Sequence, residues 1–262
     1  MSNHAGPHSI SLGENSIGFS SYGLPKNLVV FVHGFNGHAI KTWNAFPELI
    51  QEHNSFKESD VIFFGYDSLK TQASNMKLRL FNFIDTAVDP TRMEYAIQRD
   101  IPSGFAYDKV VIVAHSLGAV ITRMAMLYAK AKGSPWLNKC KLVFFAPAHF
   151  GSRIPENFKE CFQGVTSLFQ SFAVTKYPII KDLSEGSQIL TQLERNSRTL
   201  LDVGNADYLR AYVVWASNDI VVVNSSFCDD YPEEEIEDTT HTSVCKPTQE
   251  KLNALTYVLK CM

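Results

Sequence analysis

Short, continuous apolar runs recur along this chain and alternate with segments in which apolar residues repeat at helical spacing. Uninterrupted apolar runs of this length are typical of strands buried on both faces. The runs are residues 28–32, 61–66, 109–113, 141–146 and 212–216, and the helical segments are 41–53, 76–88, 91–101, 119–131 and 248–259. This alternation predicts an α/β fold, with a mainly parallel sheet covered by helices on both faces.

The segment between the fourth and fifth predicted strands, residues 153–210, has helical periodicity and no clear strand. A stripe of large apolar side chains repeats within it: Phe158, Phe162, Val165, Leu168, Phe169 and Phe172. Two interpretations stay open, ordinary core packing and an apolar cap over a site. We predict one domain over residues 1–262 with 153–210 as a cap insertion, in which Phe169 and Phe172 contact substrate. Such a cap would also offer a surface for peripheral membrane contact.

The most informative motif follows the third predicted strand, where the sequence reads Ala114-His115-Ser116-Leu117-Gly118 and then becomes helical. A serine between small residues at a strand-to-helix junction is the pattern of a nucleophile elbow. The turn is so sharp that large side chains at positions 114 and 118 would collide with the backbone. Ser116 also lies at a helix N-terminus, where N–H groups can stabilise a developing negative charge. We predict that Ser116 is a nucleophile.

A serine hydroxyl needs a general base, and a histidine after the elbow in sequence is expected to supply it. His241 precedes the last predicted helix and fits that place, whereas His115 adjoins the serine and its side chain should point away. The base needs a carboxylate partner. Asp219 directly follows the fifth strand and is preferred, and Asp202 is the weaker alternative because it precedes that strand.

The loop after the first strand is expected to complete the site. Its sequence begins His33-Gly34-Phe35, and a glycine there permits close approach of the backbone. An oxyanion hole requires two backbone donors, which we assign to the N–H groups of Phe35 and Leu117. His33 and Gly34 are expected to contact substrate, and so is His149, which follows the fourth strand.

Composition and charge restrict the function classes. The chain has 262 residues, 19% of them charged, and a formal net charge of −3, which gives no indication of nucleic-acid binding. No apolar segment is long enough for a transmembrane helix, and residues 1–8 do not resemble a signal peptide. Five cysteines without metal-type spacing are expected to be free thiols. The prediction is a cytoplasmic protein that uses no metal and no cofactor.

An acidic run at residues 229–238 lies between the candidate acid and the candidate base. It contains seven acidic residues and is expected to be a solvated loop. If it overhangs the site, it would disfavour strongly anionic substrates. A calcium site is not expected, because the run lacks the glycine-containing spacing of a calcium loop.

With these motifs in place, the chain resembles the lipase-like branch of the α/β-hydrolases. Three further stretches resemble SERAC-type and DUF676-type lipase-like domains: residues 64–68, 146–152 and 241–247. The family version of the second is Thr-Pro-His-x-Gly-Ser, whereas here Ala148 separates Pro147 from His149. The resemblance covers roughly residues 28–152 and 211–260, and it implies an α/β-hydrolase fold.

The resemblance implies a serine hydrolase that cleaves a carboxylic ester, of a small molecule or a lipid, through an acyl-enzyme on Ser116. An acyltransferase with the same three residues differs only in passing the acyl group to an alcohol instead of water. A thioesterase or an amidase also stays open, since a fold does not fix the substrate. A further alternative, a catalytically silent binding or signalling module, is disfavoured because such a domain is free to lose these residues.

Overall fold

The computed structural model describes residues 9–12, 15–21, 23–89, 101–151, 182, 184 and 186–262. Within them, eight strands form a single sheet in the order β1-β2-β4-β3-β5-β6-β7-β8. The strands are β1 (Ser9–Ser11), β2 (Ile17–Phe19), β3 (Asn27–Val32), β4 (Ser59–Phe64), β5 (Lys109–His115), β6 (Cys140–Phe145), β7 (Ala211–Ala216) and β8 (Glu234–Ile236). The strands from β3 to β8 are parallel to one another, and β1 and β2 add an antiparallel edge next to β4.

The α-helices of the described residues pack against this sheet. They are α1 (Phe46–Glu52), α2 (Ala73–Ala87), α3 (Leu117–Lys132), α4 (Gln188–Val203) and α5 (Asn253–Leu259). Both α2 and α4 contact α3, the helix that follows the elbow. The predicted helix 41–53 is split, because Asn44 adopts a left-handed φ of 50° and ends a short 3₁₀ turn before α1 begins. The predicted helix 91–101 lies almost entirely outside the described residues.

The predicted fold class is confirmed. All five apolar runs form parallel strands in the middle of the sheet, and each side chain from Leu28 to Val32 is 0% exposed. Side chains on both faces of β3 are therefore covered, as expected for a strand between two layers of helices.

The acidic run is exposed at six of its seven acidic residues, as predicted, but it is not a loop throughout. Residues Glu234–Ile236 form β8, which pairs with β7 in parallel. The exposed Glu234 carboxylate accepts hydrogen bonds from Lys260 Nζ at 2.9 Å and Tyr257 Oη at 2.8 Å. The Asp230 side chain is only 2% exposed. Backbone pairing and one buried carboxylate thus attach this acidic segment to the core.

The segment predicted as a cap is described only in part. Residues 152–181, 183 and 185 lie outside the described residues, and so do Phe169 and Phe172. From residue 188 onwards the segment forms α4, which buries Leu190 and Leu193 and contacts α3. This part of the segment is a crossover helix between β6 and β7. The cap stays a prediction for the residues before it.

Candidate active site

Ser116 lies in a strained turn between β5 and α3. Its backbone φ of 53° and ψ of −120° fall in a region that residues with a side chain rarely adopt. The turn is fixed on both sides, since the Ser116 N–H donates to the Phe145 carbonyl at 3.0 Å and its carbonyl accepts the Ala119 N–H at 3.1 Å. The hydroxyl is thereby held at the carboxyl edge of the sheet, where ligands bind in open α/β folds.

Two glycines allow the backbone to pack around this turn. A Cβ placed on Gly118 would lie 2.3 Å from the Val32 carbonyl oxygen, a distance that no side chain tolerates. A Cβ placed on Gly34 would lie 2.9 Å from Ser116 Cβ. The small-residue pattern of the elbow thus reflects direct backbone contact between α3 and the end of β3. It also places the loop after β3 against the serine.

The structure brings Ser116, Asp219 and His241 together although 22 to 125 positions separate them along the chain. His241 Nε2 lies 3.0 Å from Ser116 Oγ, and His241 Nδ1 lies 2.9 Å from Asp219 Oδ2. A carboxylate can only accept, so Nδ1 carries the hydrogen and the Nε2 lone pair faces the serine hydroxyl. Asp202, the alternative acid, is in α4 and exposed.

The Asp219 carboxylate is held rigidly and ionised. Its side chain is 0% exposed, and Oδ1 accepts hydrogen bonds from the Val221 N–H at 2.8 Å and the Val222 N–H at 3.1 Å. Burial raises the pKa of Asp219, but the hydrogen bond and charge of His241, together with the two amides, outweigh burial and keep the pKa below its usual value. A carboxylate that is ionised and fixed can orient an imidazole.

The loop after β3 carries one of the two assigned oxyanion donors, the N–H of Phe35. The other, the Leu117 N–H, lies in the first turn of α3, where amides have no acceptor within the helix. The loop is attached to the segment after β4, since the Asn36 N–H donates to the buried Ser68 hydroxyl at 2.8 Å. Its shape is thus set by side chains from a neighbouring strand end.

His33, predicted to contact substrate, is 1% exposed and packs against the backbone of this loop. Its ring stacks on Tyr66 with centroids 4.1 Å apart, and its Nδ1–H donates to the Gly34 carbonyl at 2.8 Å. The Tyr66 hydroxyl donates to the His33 carbonyl at 2.5 Å. Burial lowers the pKa of His33 to about 4, so the ring is neutral at physiological pH. These contacts shape the loop, and the contact of His33 with substrate stays a prediction.

His149 lies in a separate buried cluster. Its Nε2 accepts a hydrogen bond from Arg123 Nε at 3.0 Å, and its ring packs on Phe227 with centroids 4.4 Å apart. Burial and the neighbouring guanidinium hold the pKa of His149 well below its usual value, with a smaller opposing effect from the Ala119 carbonyl. Arg123 thus occupies the Nε2 side of the ring, and the contact of His149 with substrate stays a prediction.

Three residues near the site were missed by the sequence analysis. His115 was set aside as a base, yet its Nε2 lies 2.8 Å from the His241 carbonyl oxygen. Arg123 and Asp230 form a buried ion pair. Arg123 did give a signal, because it is the one charge among the apolar residues 117–129, and a buried arginine requires a partner.

Two negative findings apply to the described part of the chain. There, no group of three or more His, Cys, Asp or Glu side chains is arranged to hold a metal ion. Among the same residues, no helix is both long and apolar enough to cross a bilayer.

Comparison with known sequences identifies the family. The family described as "Putative serine esterase (DUF676)" matches residues 24–229, which is most of the chain and includes Ser116 and Asp219. The chain belongs to this family. It is therefore a serine ester hydrolase with an α/β-hydrolase fold, as the resemblance of its motifs implied. His241 lies beyond the matched residues, so its role depends on geometry. No curated protein matches the chain.

Solved structures share the fold at low sequence identity. The mature form of the Bacillus licheniformis lipase BlEst2 aligns with a TM-score of 0.60 and 12% identity, over 90% of this chain and 92% of that one. MGS-MChE2, an α/β-hydrolase from a lagoon-sediment metagenome in Morocco, aligns with a TM-score of 0.54 and 16% identity, over 97% and 96%. YbtT, a type II thioesterase of the yersiniabactin pathway, aligns with a TM-score of 0.54 and 13% identity, over 94% and 97%. These likenesses agree with the fold.

Proposed function

We propose that the protein hydrolyses carboxylic esters through an acyl-enzyme on Ser116, with His241 as general base and Asp219 as its orienting carboxylate. The observation that carries the proposal is the continuous contact from Ser116 Oγ to His241 Nε2 at 3.0 Å and from His241 Nδ1 to Asp219 Oδ2 at 2.9 Å. Each distance lies within hydrogen-bond range, so a proton can pass from the hydroxyl to the imidazole without rearrangement.

The chemistry follows from this geometry. His241 Nε2 accepts the hydroxyl proton as Ser116 Oγ bonds to the ester carbonyl carbon, and the carbonyl electrons move onto the oxygen. The N–H groups of Leu117 and Phe35 are assigned to stabilise that oxyanion. The oxyanion then re-forms the carbonyl and expels the alcohol, which takes the proton from His241. Water repeats the sequence on the acyl-enzyme, releases the acid and restores Ser116.

Asp219 contributes by remaining ionised throughout. Its negative charge lies against Nδ1 and stabilises the imidazolium that forms in each half-reaction. The low pKa of the carboxyl keeps Nδ1–H as the donor, so that the Nε2 lone pair faces the serine. No metal or cofactor is required for any of these steps.

Active-site labelling tests the proposal. A fluorophosphonate probe should modify the wild-type protein on Ser116, as located by peptide mass spectrometry, and Ser116→Ala should not be labelled. Ser134→Ala is a suitable control, since Ser134 precedes a 3₁₀ turn before β6, at the other end of the sheet. Absence of labelling in the wild type, or equal labelling of Ser116→Ala, would overturn the assignment.

A series of p-nitrophenyl esters from acetyl to palmitoyl then defines the acyl preference. With a slowly deacylating ester, a burst of p-nitrophenol equal to the enzyme concentration is expected, because acylation precedes hydrolysis. Adding a small alcohol separates hydrolysis from acyl transfer: a hydrolase continues to release mainly the acid, and a transferase forms mainly the new ester. The expected product here is the acid.

Four cysteines of the described residues are free thiols, namely Cys140, Cys228, Cys245 and Cys261. From these thiols we infer a reducing compartment and propose the cytosol. Peripheral membrane contact through the cap concerns residues outside the described part and stays a prediction.

A further inference from the structure

The His115 side chain lies directly behind the candidate catalytic residues. Its Nε2 is 2.8 Å from the His241 carbonyl oxygen, and the two imidazole rings have centroids 4.9 Å apart. A carbonyl oxygen can only accept, so Nε2 carries the hydrogen and donates it. On its other side the ring borders the loop after β3, since a Cβ added at Gly34 would lie 3.1 Å from His115 Nδ1. The imidazole thus separates the base from the oxyanion loop.

The hydrogen bond from His115 anchors the main chain of His241 directly. The residue lies between β8 and α5 in an irregular segment, which is attached to other parts of the domain by the Asn218 N–H donating to the Thr239 carbonyl at 2.9 Å and by Asn44 Nδ2 donating to the Pro247 carbonyl at 3.0 Å. These attachments lie two residues before and six residues after His241, whereas the hydrogen bond from His115 acts on the His241 carbonyl itself. The hydrogen bond from His115 connects it to β5, a central strand that ends beside Ser116.

The charge state of His115 suits this position. Burial, followed by the charge of His241, lowers the pKa of His115 to about 3, while Asp219 opposes the shift and Lys246 adds to it. The ring therefore stays neutral over the working pH range. A neutral neighbour avoids repulsion with the imidazolium that His241 becomes during acylation.

A direct chemical role for His115 is disfavoured by the same contacts. Nε2 already donates to the His241 carbonyl, and Nδ1 is beside Gly34. We propose that His115 is a positioning residue, which holds the His241 main chain so that the imidazole stays between Asp219 and Ser116. The inference rests on the proposed function, because it assigns His115 to the support of the same base.

Two variants separate the hydrogen bond from packing. His115→Leu fills part of the volume without a donor, whereas His115→Gln keeps an N–H donor at nearly the same reach. For p-nitrophenyl acetate and butyrate alike, His115→Leu should lower kcat by about 10-fold to 100-fold with little change in KM, because a small displacement of a base is costly. His115→Gln should recover most of the loss. The acid limb of the kcat/KM profile should move to lower pH in His115→Leu, as the base is held less firmly against Asp219.

A readout independent of turnover is the low-field proton resonance of the hydrogen bond between His241 Nδ1 and Asp219. It should weaken or disappear in His115→Leu and persist in His115→Gln. His53→Leu is the matched control, because the His53 ring accepts the Ser55 N–H shortly before β4 begins, at the opposite end of the sheet. This control should lose stability without loss of kcat.

The inference is overturned if His115→Leu keeps wild-type kcat and the low-field resonance, or if His115→Gln is as impaired as His115→Leu, which would indicate packing alone. Failure of the proposed function has a different signature. In that case the wild-type protein itself is not labelled on Ser116 and does not turn over the esters.

Discussion

The Arg123 guanidinium donates from Nη2 to both carboxylate oxygens of Asp230, and the two side chains are 0% and 2% exposed. The pair joins α3, which begins beside Ser116, to the segment between Asp219 and His241. The guanidinium also lies 4.6 Å from the Phe227 ring centroid and 5.1 Å from that of Phe144, so aromatic rings pack against it. Burial raises the pKa of Asp230, and Arg123 opposes this shift.

Removing one partner of this pair should therefore lower the free energy of unfolding. Arg123→Met leaves a buried carboxylate without its counter-ion and should lower the free energy of unfolding by about 3–5 kcal/mol in urea titrations. The double variant Arg123→Met/Asp230→Asn should recover only part of the loss: the amide oxygen can still accept the Ala211 N–H, but His149 Nε2 and the Leu209 carbonyl still lack the donors of Arg123. Arg198→Met, which breaks the exposed pair with Glu194, should change stability little. A small effect of Arg123→Met alone would contradict this account.

Gly118→Ala should abolish folding or activity. Its Cβ would meet the Val32 carbonyl oxygen at 2.3 Å and the His33 carbonyl oxygen at 2.6 Å, and backbone atoms cannot move aside cheaply. Circular dichroism should show the loss of folded structure, and ester turnover should show the loss of activity. Gly23→Ala is the control, since a Cβ there meets nothing within 4 Å. A Gly118→Ala protein with a normal Tm and normal kcat would show that α3 does not approach β3 so closely.

Asp219→Asn should lower kcat/KM by about 10³-fold to 10⁴-fold, because a neutral amide favours the wrong imidazole tautomer and does not stabilise the imidazolium. Asp202→Asn, in α4, should leave kcat/KM unchanged. Both variants should be compared by steady-state kinetics with a p-nitrophenyl ester after their Tm values are measured. The reverse order of effects would make Asp202 the acid.

Ser116→Gly should be more stable than the wild type although it is inactive. Glycine adopts a φ of 53° and a ψ of −120° without the strain of a Cβ, and relief of such strain is worth about 1–3 kcal/mol. Ser116→Ala keeps the Cβ and should be inactive without this gain. Equal Tm values for the two variants would mean that the turn stores no strain.

Stability should fall as the pH is lowered from about 6.5 towards 4, in part because of His33. Burial lowers its pKa from 6.5 to about 4, so in this window the unfolded chain binds a proton that the folded chain excludes. The free energy of unfolding therefore rises with pH there, and the share of His33 is about 3 kcal/mol.

His33→Gln should flatten this dependence in urea titrations between pH 7 and pH 4.5. The dependence should not disappear, because the pKa values of His115 and His149 are lowered in the same direction. A slope identical to that of the wild type would contradict the assignment.

The sequence by itself determined the parallel sheet and the strand-to-helix junction. Runs such as 110–113 are continuous and apolar, and a strand covered on both faces requires that composition. The elbow is recognised from five consecutive residues. Its small residues are required because Gly118 lies against the Val32 carbonyl oxygen, where a side chain would not fit. The chain order of Ser116, Asp219 and His241, together with the place of Asp219 after the fifth strand and of His241 before the last helix, predicted them as partners.

Only the tertiary structure decided which side chains support those partners. The His115–His241 and Arg123–Asp230 contacts join residues 126 and 107 positions apart, and local pattern carries no information on such pairings. The strand Glu234–Ile236 was not predicted, for a related reason. Its pairing with β7 uses backbone groups, which every residue has, whereas its acidic side chains are typical of a loop. Polar residues in strands and cores are selected by distant partners, and those partners become visible only when the chain is folded.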